Sequence, residues 1–369
     1  MNPKQRIGQV PQSTTRRGVL RGLGVGLGAL AAPAFVRSAR AQGDAEFMKP
    51  ATLRLGHVPL ISSGPVFLAM AKGYFEKVNL KLENRFFTDG ALAIPALVAG
   101  ELDVAASTSN AGLFNAIAKG APYKYFADRG QDRAGHGSLS IVARKALHEQ
   151  GLTGLDKFAM LKGRKLAIQA PGSIDQYLLG LALRKAGLDP RKDVDWQGGI
   201  AYPEMVKLMG AGQIDAAQIV VPLSYLAQRN DAGKIVAWGH DIEPDCHLAG
   251  WVIRTALLRD SPSVAVRFAM VHMQAARDFN KAAAAADDTA VKIMAEATKL
   301  PAGVIKSAAP RWTWMSEDGL PNVKSVMAQA AFWTDYYKLV TQPVTEEQVF
   351  DLRAVKEAAQ RLARANPFV

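Results

Sequence analysis

The chain has 369 residues, 49% hydrophobic and 21% charged, a composition that excludes a disordered protein and suits two domains or one large α/β domain. Its formal net charge of +12 points toward nucleic acid only until the charges are located: residues 1–41 hold Lys4, Arg6, Arg16, Arg17, Arg21, Arg37 and Arg40 and no acid, and 12 − 7 leaves +5. No long basic run remains, so no nucleic-acid partner is expected, and the single Cys246 excludes an internal disulfide and a multi-cysteine metal site.

The amino-terminal segment reads as an export signal. Arg16-Arg17 precedes an apolar, glycine-rich stretch at Gly22–Val36 that is too short and too weakly hydrophobic to span a bilayer stably. "ARAQ" at Ala39–Gln42 supplies a small-x-small cleavage site. A twin-arginine signal over residues 1–41, removed after Ala41, is therefore expected, although Val19 and Arg21 depart from the usual pattern. The weaker alternative is an ordinary secretory signal. No Cys lies near the cut and no second long apolar run follows, so the expectation is a periplasmic product that is neither a lipoprotein nor inserted in the membrane.

Beyond the signal, strand-like and helical patterns alternate. "ATLRLGHVPL" at 51–60 reads as a strand, "SSGPVFLAMAKGYF" as a helix stopping at Gly73, and "NLKLENRFF" at 79–87 as a second strand. "DGALAIPALVAG" is a short helix, "ELDVAAS" a third strand, and "NAGLFNAIAKG" a helix with Asn110 as its cap. After Gly163 the same grammar restarts: strand, helix 174–188, strand 193–199, helix 202–212, strand 213–221, helix 222–233 and strand 234–239. Such alternation with short connections predicts parallel sheets covered by helices. Two further strand-like stretches, 137–147 and 247–258, bracket the second round. Paired antiparallel, they would form a two-stranded hinge between two lobes. Residues 261–300 read as helical, and 345–365 as an amphipathic helix region capped by Thr345.

One phrase occurs twice. "AGELDVAAS" at Ala99–Ser107 is answered 112 residues later by "AGQIDAAQI" at Ala211–Ile219. Each closes a helix on a glycine and opens a strand of small residues, which places Asp103 and Asp215 at strand entrances where a carboxylate accepts N–H groups.

These segments resemble the periplasmic substrate-binding proteins of ABC importers, in the nitrate/sulfonate/taurine family. The resemblance rests on "LRLGHVPLISSGPVFLAMAKGYFEK", "ALVAGELDVAASTSNAGLFNAIAKGAPYKYF", "LKGRKLAIQAPGSIDQYLLGLALRKAGLDPRKDV" and "MVKLMGAGQIDAAQIVVPLSYLA". It implies a two-lobed α/β fold of the type II class, with mixed sheets flanked by helices and a two-stranded hinge. Residues 48–140 and 250–369 would form lobe 1, and 141–249 lobe 2. It also implies a monomer that captures a small organic anion, a sulfonate or an aromatic or aliphatic carboxylate, and delivers it to an ABC permease and its ATPase. The family often carries an aromatic residue two before the proline of the last stretch, where this chain has Val220 before Pro222.

In open α/β sheets ligands bind beyond the carboxyl ends of strands, where helix N-termini favour anions. By that rule Ser62 and Ser63 after the first strand, Ser107, Thr108, Ser109 and Asn110 after the third, and Gly172 and Ser173 in lobe 2 are candidate ligand contacts. Arg129 and Arg133, in "ADRGQDRAGHGS", could hold a carboxylate or sulfonate. Phe87, Tyr202, His240 and His247 stand where an organic body could lie, and Tyr202 and His240 are the two selected; His57 is read as structural. No phosphate loop, HExxH, GxSxG or CxxC motif occurs, so no cofactor, metal or catalytic residue is assigned. The alternative is an exported enzyme of the same fold acting on a small heterocycle or organic acid.

Overall fold

The computed structural model describes residues 45–88 and 90–369; the expected export signal over 1–41 lies outside them. The first round of elements is β1 (Ala51–His57), α1 (Gly64–Ala71), β2 (Leu80–Phe86), α2 (Ala93–Val98), β3 (Val104–Thr108), α3 (Ala111–Ala118) and β4 (Tyr123–Asp128). The short β5 (Gln131–Asp132) leads to a second round: β6 (Leu139–Arg144), β7 (Lys165–Ala167), α4 (Ile174–Lys185), β8 (Asp195–Gln197), α5 (Tyr202–Gly210), β9 (Ala216–Val220), α6 (Leu223–Arg229) and β10 (Gly233–Trp238). The chain returns through β11 (Cys246–His247) and β12 (Ala249–Arg254).

The strands form two five-stranded sheets, ordered β2-β1-β3-β12-β4 and β10-β6-β9-β7-β8. In each, four strands point the same way, and the strand arriving from the other lobe inserts antiparallel between two of them (β12 in one, β6 in the other). The sheets are therefore mixed. The stretches expected to pair as a hinge do not pair with each other: β6 joins β9 and β10, and β12 joins β3 and β4. Their first five residues are buried throughout, so "LSIVA" and "AGWVI" are central strands that need neighbours on both sides. The two-stranded crossing lies just outside them, where β5 pairs antiparallel with β11.

The repeated phrase has the same job in both sheets. Gly100 and Gly212 end their helices at φ 79 and 72, left-handed values that admit glycine without steric cost. Asp103 Oδ2 accepts the Arg54 N–H of β1 at 3.0 Å, and Asp215 Oδ2 accepts the Lys165 N–H of β7 at 3.0 Å. The other carboxylate oxygen takes an arginine from the end of the inserted strand: Arg254 Nη2 donates to Asp103 at 2.7 Å and Arg144 Nη2 to Asp215 at 2.9 Å. Each aspartate thus ties three strands together at the edge away from the cleft. Burial pushes the Asp103 carboxyl up, but the donors of Arg54 and Arg254 outweigh it and hold it below the ordinary range. Its contribution is present above the ordinary carboxylate pKa and is lost as pH falls through the lowered value. Asp103→Ala should cost roughly 2–3 kcal/mol in urea unfolding at pH 7, and less at pH 3, because partly exposed arginines lose a buried partner. A loss independent of pH would show that packing, and not charge, is what the aspartate supplies.

Beyond the sheets, α7 (Pro262–Ala285) packs against α1. Two further helices, Asp288–Thr298 and Ala302–Ser307, separate it from α8 (Val323–Ala331). The expected helix over 345–365 is two: Thr345 caps α9 (Glu346–Val349), and α10 (Arg353–Arg364) begins after a break. At the break Phe350 stacks on Tyr125 with ring centres 5.9 Å apart, and Asp351 N–H donates to the Tyr125 carbonyl at 2.8 Å. Burying the ring and pairing with β4 outweighs one more helical turn.

Candidate functional site

A cavity of about 510 Å³ lies between the carboxyl ends of the two sets of parallel strands. One side is built by Val58–Ser62 after β1, Phe87, Thr88 and Gly90 after β2, and Ala106–Thr108 with Asn110 at the end of β3. The other is built by Gln169–Pro171 and Ser173 after β7, Ala201–Pro203 at the start of α5, and Val220, Val221 and Leu223 around the end of β9. The crossing segments supply Arg129, Ser138, Leu248 and Ala249, and Thr313 also lines the cavity. Most of the wall is aliphatic or aromatic, with hydroxyls and amides between.

Arg129 is the one charged side chain among the described residues of this wall. It is 5% exposed, and its guanidinium lies 5.3 Å from the ring centre of Trp251. Nη2 donates to Ser63 Oγ at 2.6 Å, while Nε has no hydrogen-bond partner. No carboxylate forms an ion pair with it among the described residues. Burial pushes its pKa down to about 10, which leaves it protonated at neutral pH. A buried cation with unused donors beside a cavity has the chemistry to receive an anion.

Ser63 fixes that cation. Its hydroxyl donates to the Val58 carbonyl at 2.7 Å, so it can only accept from Arg129 and from His57, whose Nδ1 stands 2.9 Å away. His57 must then carry its proton on Nδ1. Burial, with the Arg129 charge adding to it, pushes this imidazole down to about 3 and keeps it neutral.

The two sides touch. The Ala111 N–H at the start of α3 donates to the Gly172 carbonyl at 3.0 Å, a backbone hydrogen bond from one lobe to the other. Gly172 has φ 80, and a Cβ there would lie 2.6 Å from the Ala111 Cβ. The loops Ser107–Asn110 and Pro171–Ser173, which hold candidate contacts named from the sequence, thus face one another across the cavity.

Of the residues selected from the sequence, the structure brings Ser62, Ser107, Thr108, Asn110, Arg129, Ser173 and Tyr202 onto one cavity wall. Asn110 also caps α3, its Oδ1 accepting the Leu113 N–H at 2.9 Å. Five others of the selected set are not on the wall, nor is His247, which was weighed beside them. Ser63 stands behind Arg129, and Ser109 is buried 3.3 Å from the Tyr125 hydroxyl. Gly172 faces Ala111. Arg133 lies outside, paired with Asp245 at 3.1 Å and set against Trp314. His240 turns toward Asp241, 3.4 Å away, and His247 is buried at the crossing.

Phe87, weighed from the sequence but not selected, is on the wall, and Gln169 and Val221 follow from the strand-end rule applied to residues that the sequence reading did not single out. Ser138, Leu248 and Thr313 had no such signal, because the crossing segments and the carboxy-terminal region share no repeated grammar with the sheets.

The NMT1-like family profile matches residues 47–295. A relative from Brucella abortus (strain 2308), provisionally named a binding protein, is 30% identical over 218 residues, 58% of this chain and 62% of that protein. The match thus spans less than two thirds of the length of these curated relatives, from 62% of the first down to 29% of others. Among solved structures, the periplasmic nitrate-binding protein NrtA from Synechocystis PCC 6803 superposes with a TM-score of 0.70 at 15% identity, covering 86% of this chain and 92% of that one. The alkanesulfonate-binding protein SsuA from Xanthomonas axonopodis pv. citri, bound to MOPS, gives 0.65 at 20% identity, covering 82% and 99%. With a two-lobed type II periplasmic-binding-protein fold and a family match running from before β1 into the helices beyond β12, this chain belongs to the NMT1-like family.

Proposed function

We propose that this protein is the solute-binding component of an ABC import system, and that it captures a small organic anion in the cleft for delivery to a membrane permease and its ATPase. The observation that carries the reading is Arg129: a buried cation without a carboxylate partner, set in a largely apolar cavity of about 510 Å³. The guanidinium and neighbouring hydroxyls suit a sulfonate or carboxylate, and the apolar wall suits an aliphatic or aromatic body. Val220, a small side chain on that wall, leaves room for such a body. The described wall residues include no Cys, His, Asp or Glu, which favours binding over catalysis. The setting is periplasmic on this reading. No helix among the described residues is long and apolar enough to cross a membrane.

A thermal-shift screen of sulfonates and carboxylates tests the reading. An acid present at 100 times its dissociation constant should stabilise the protein by ~2.7 kcal/mol, with the uncharged alcohol or amide of the same body giving no shift. Equal shifts from the neutral analogues would remove the anion from the proposal. Recovery of a chemically altered acid after incubation would replace the binder with an enzyme.

A further inference from the structure

Next to Arg129 in the chain stands a second charge, hidden from the cavity. Asp128 is fully buried. Its Oδ2 accepts the N–H groups of Gly130 at 3.1 Å and Ser316 at 2.9 Å, and its Oδ1 accepts Gln131 Nε2 at 3.2 Å. Across the crossing, His247 of β11 places Nδ1 3.6 Å from Oδ1. That ring is itself fully buried, and neither of its nitrogens has a hydrogen-bond partner. The remaining titratable or charged groups around Asp128 are Arg129 beside it, Asp318 beyond Ser316, Tyr125 set edge-on to His247, and His272 of α7, whose Nε2 meets the Asp128 carbonyl at 2.7 Å.

We propose that the cleft takes up its anion together with one proton, held by the Asp128–His247 pair. This rests on the anion reading above. Closing the lobes over an anion at Arg129 with Asp128 ionised would enclose two negative charges and one positive charge away from water. One proton on the pair restores neutrality. The geometry gives the proton a place on the Asp128 carboxyl, whose Oδ1 faces, at 3.6 Å, an imidazole nitrogen that makes no other hydrogen bond. The surroundings also bring the pair within reach of neutral pH. Burial pushes Asp128 up to about 7, while it holds His247 near 3 and His272 near 4. In the empty protein the proton is therefore bound below about pH 7 and lost above it. A bound anion holds it to higher pH. Affinity is then greatest on the acid side and declines as pH rises through 7.

Hexane-1-sulfonate and benzenesulfonate are the probes, because their head groups stay ionised throughout and leave any pH dependence to the protein. Calorimetry at pH 7 in phosphate and in Tris should show an uptake of roughly 0.3–0.5 protons per sulfonate, and affinity should fall roughly three- to tenfold from pH 6.5 to 8.5. In Asp128→Asn both effects should vanish. His247→Gln, which keeps a polar side chain beside the carboxylate, should shift the midpoint of the pH profile and serves if the first variant does not fold. Sulfonate binding to the wild type without proton uptake overturns the proposal. Uptake that persists in Asp128→Asn assigns the proton elsewhere, to Asp132 or Asp175, which burial also raises, and overturns it equally. Failure of both sulfonates to bind at any of these pH values overturns the anion reading, and this inference with it.

Discussion

Arg129→Ala should lower affinity for an organic sulfonate or carboxylate by ~1.5–3 kcal/mol, or about ten- to a hundredfold, the worth of hydrogen bonds to a charged group. The expectation follows from where the guanidinium stands: 5% exposed, on the cavity wall and anchored by Ser63. The stability of the ligand-free variant should change less than its affinity, since the desolvation cost of the buried cation is set against the Ser63 hydrogen bond, the Trp251 ring and the attraction of Asp128. Arg133→Ala should leave affinity unchanged, because that side chain is engaged with Asp245 and Trp314 outside the cavity. Isothermal calorimetry with thermal unfolding of the same samples checks all three. Equal affinity of Arg129→Ala and the wild type would take the anion away from this arginine.

Gly172→Ala should impair closure without touching the ligand, costing ~1–3 kcal/mol of affinity, the range for overpacking a well-fitted contact. A side chain at φ 80 is strained whether the lobes are apart or together, so that strain largely cancels from the binding equilibrium. The contact with Ala111 Cβ, 2.6 Å from the new methyl, exists only when the lobes meet. The same approach carries the Ala111–Gly172 hydrogen bond, so both terms oppose the closed form. Small-angle scattering with saturating ligand should then show less compaction in the variant than in the wild type. Full compaction together with full affinity would mean that the lobes close without this approach. Ser173→Ala, which removes a wall hydroxyl but adds no bulk, should weaken binding while leaving compaction intact.

The alternation of strands and helices, the Asn110 cap and the equivalence of the two halves were legible in the sequence, because periodicity and helix stops are local properties. The repeated Ala-Gly-x-x-Asp phrase marked the strand entrances of both sheets for the same reason. Its arginine partners were not legible. Arg254 and Arg144 reach Asp103 and Asp215 from strands inserted out of chain order, and no local pattern states such a pairing. The hinge was misplaced on the same ground: "LSIVA" and "AGWVI" look alike whether paired with each other or taken into sheets, and burial on both faces decided it.

For the site, the sequence by itself determined the strand-end loops, since a hydroxyl-rich turn before a helix is a local signature and sheet topology fixes which end it occupies. It named Arg129 and Arg133 with equal weight, because two arginines four residues apart in one loop offer identical chemistry. Only the tertiary structure separated them, burying one guanidinium beside Ser63 and Trp251 and leaving the other on the surface with Asp245. It also brought Thr313 to the cavity wall from far along the chain, and Asp128 to within reach of His247 across the crossing. Charge and hydrogen-bonding capacity belong to the residue type and are written in the sequence; desolvation, which determines whether a charge is a receptor or a solvated surface group, depends on what the rest of the chain packs around it.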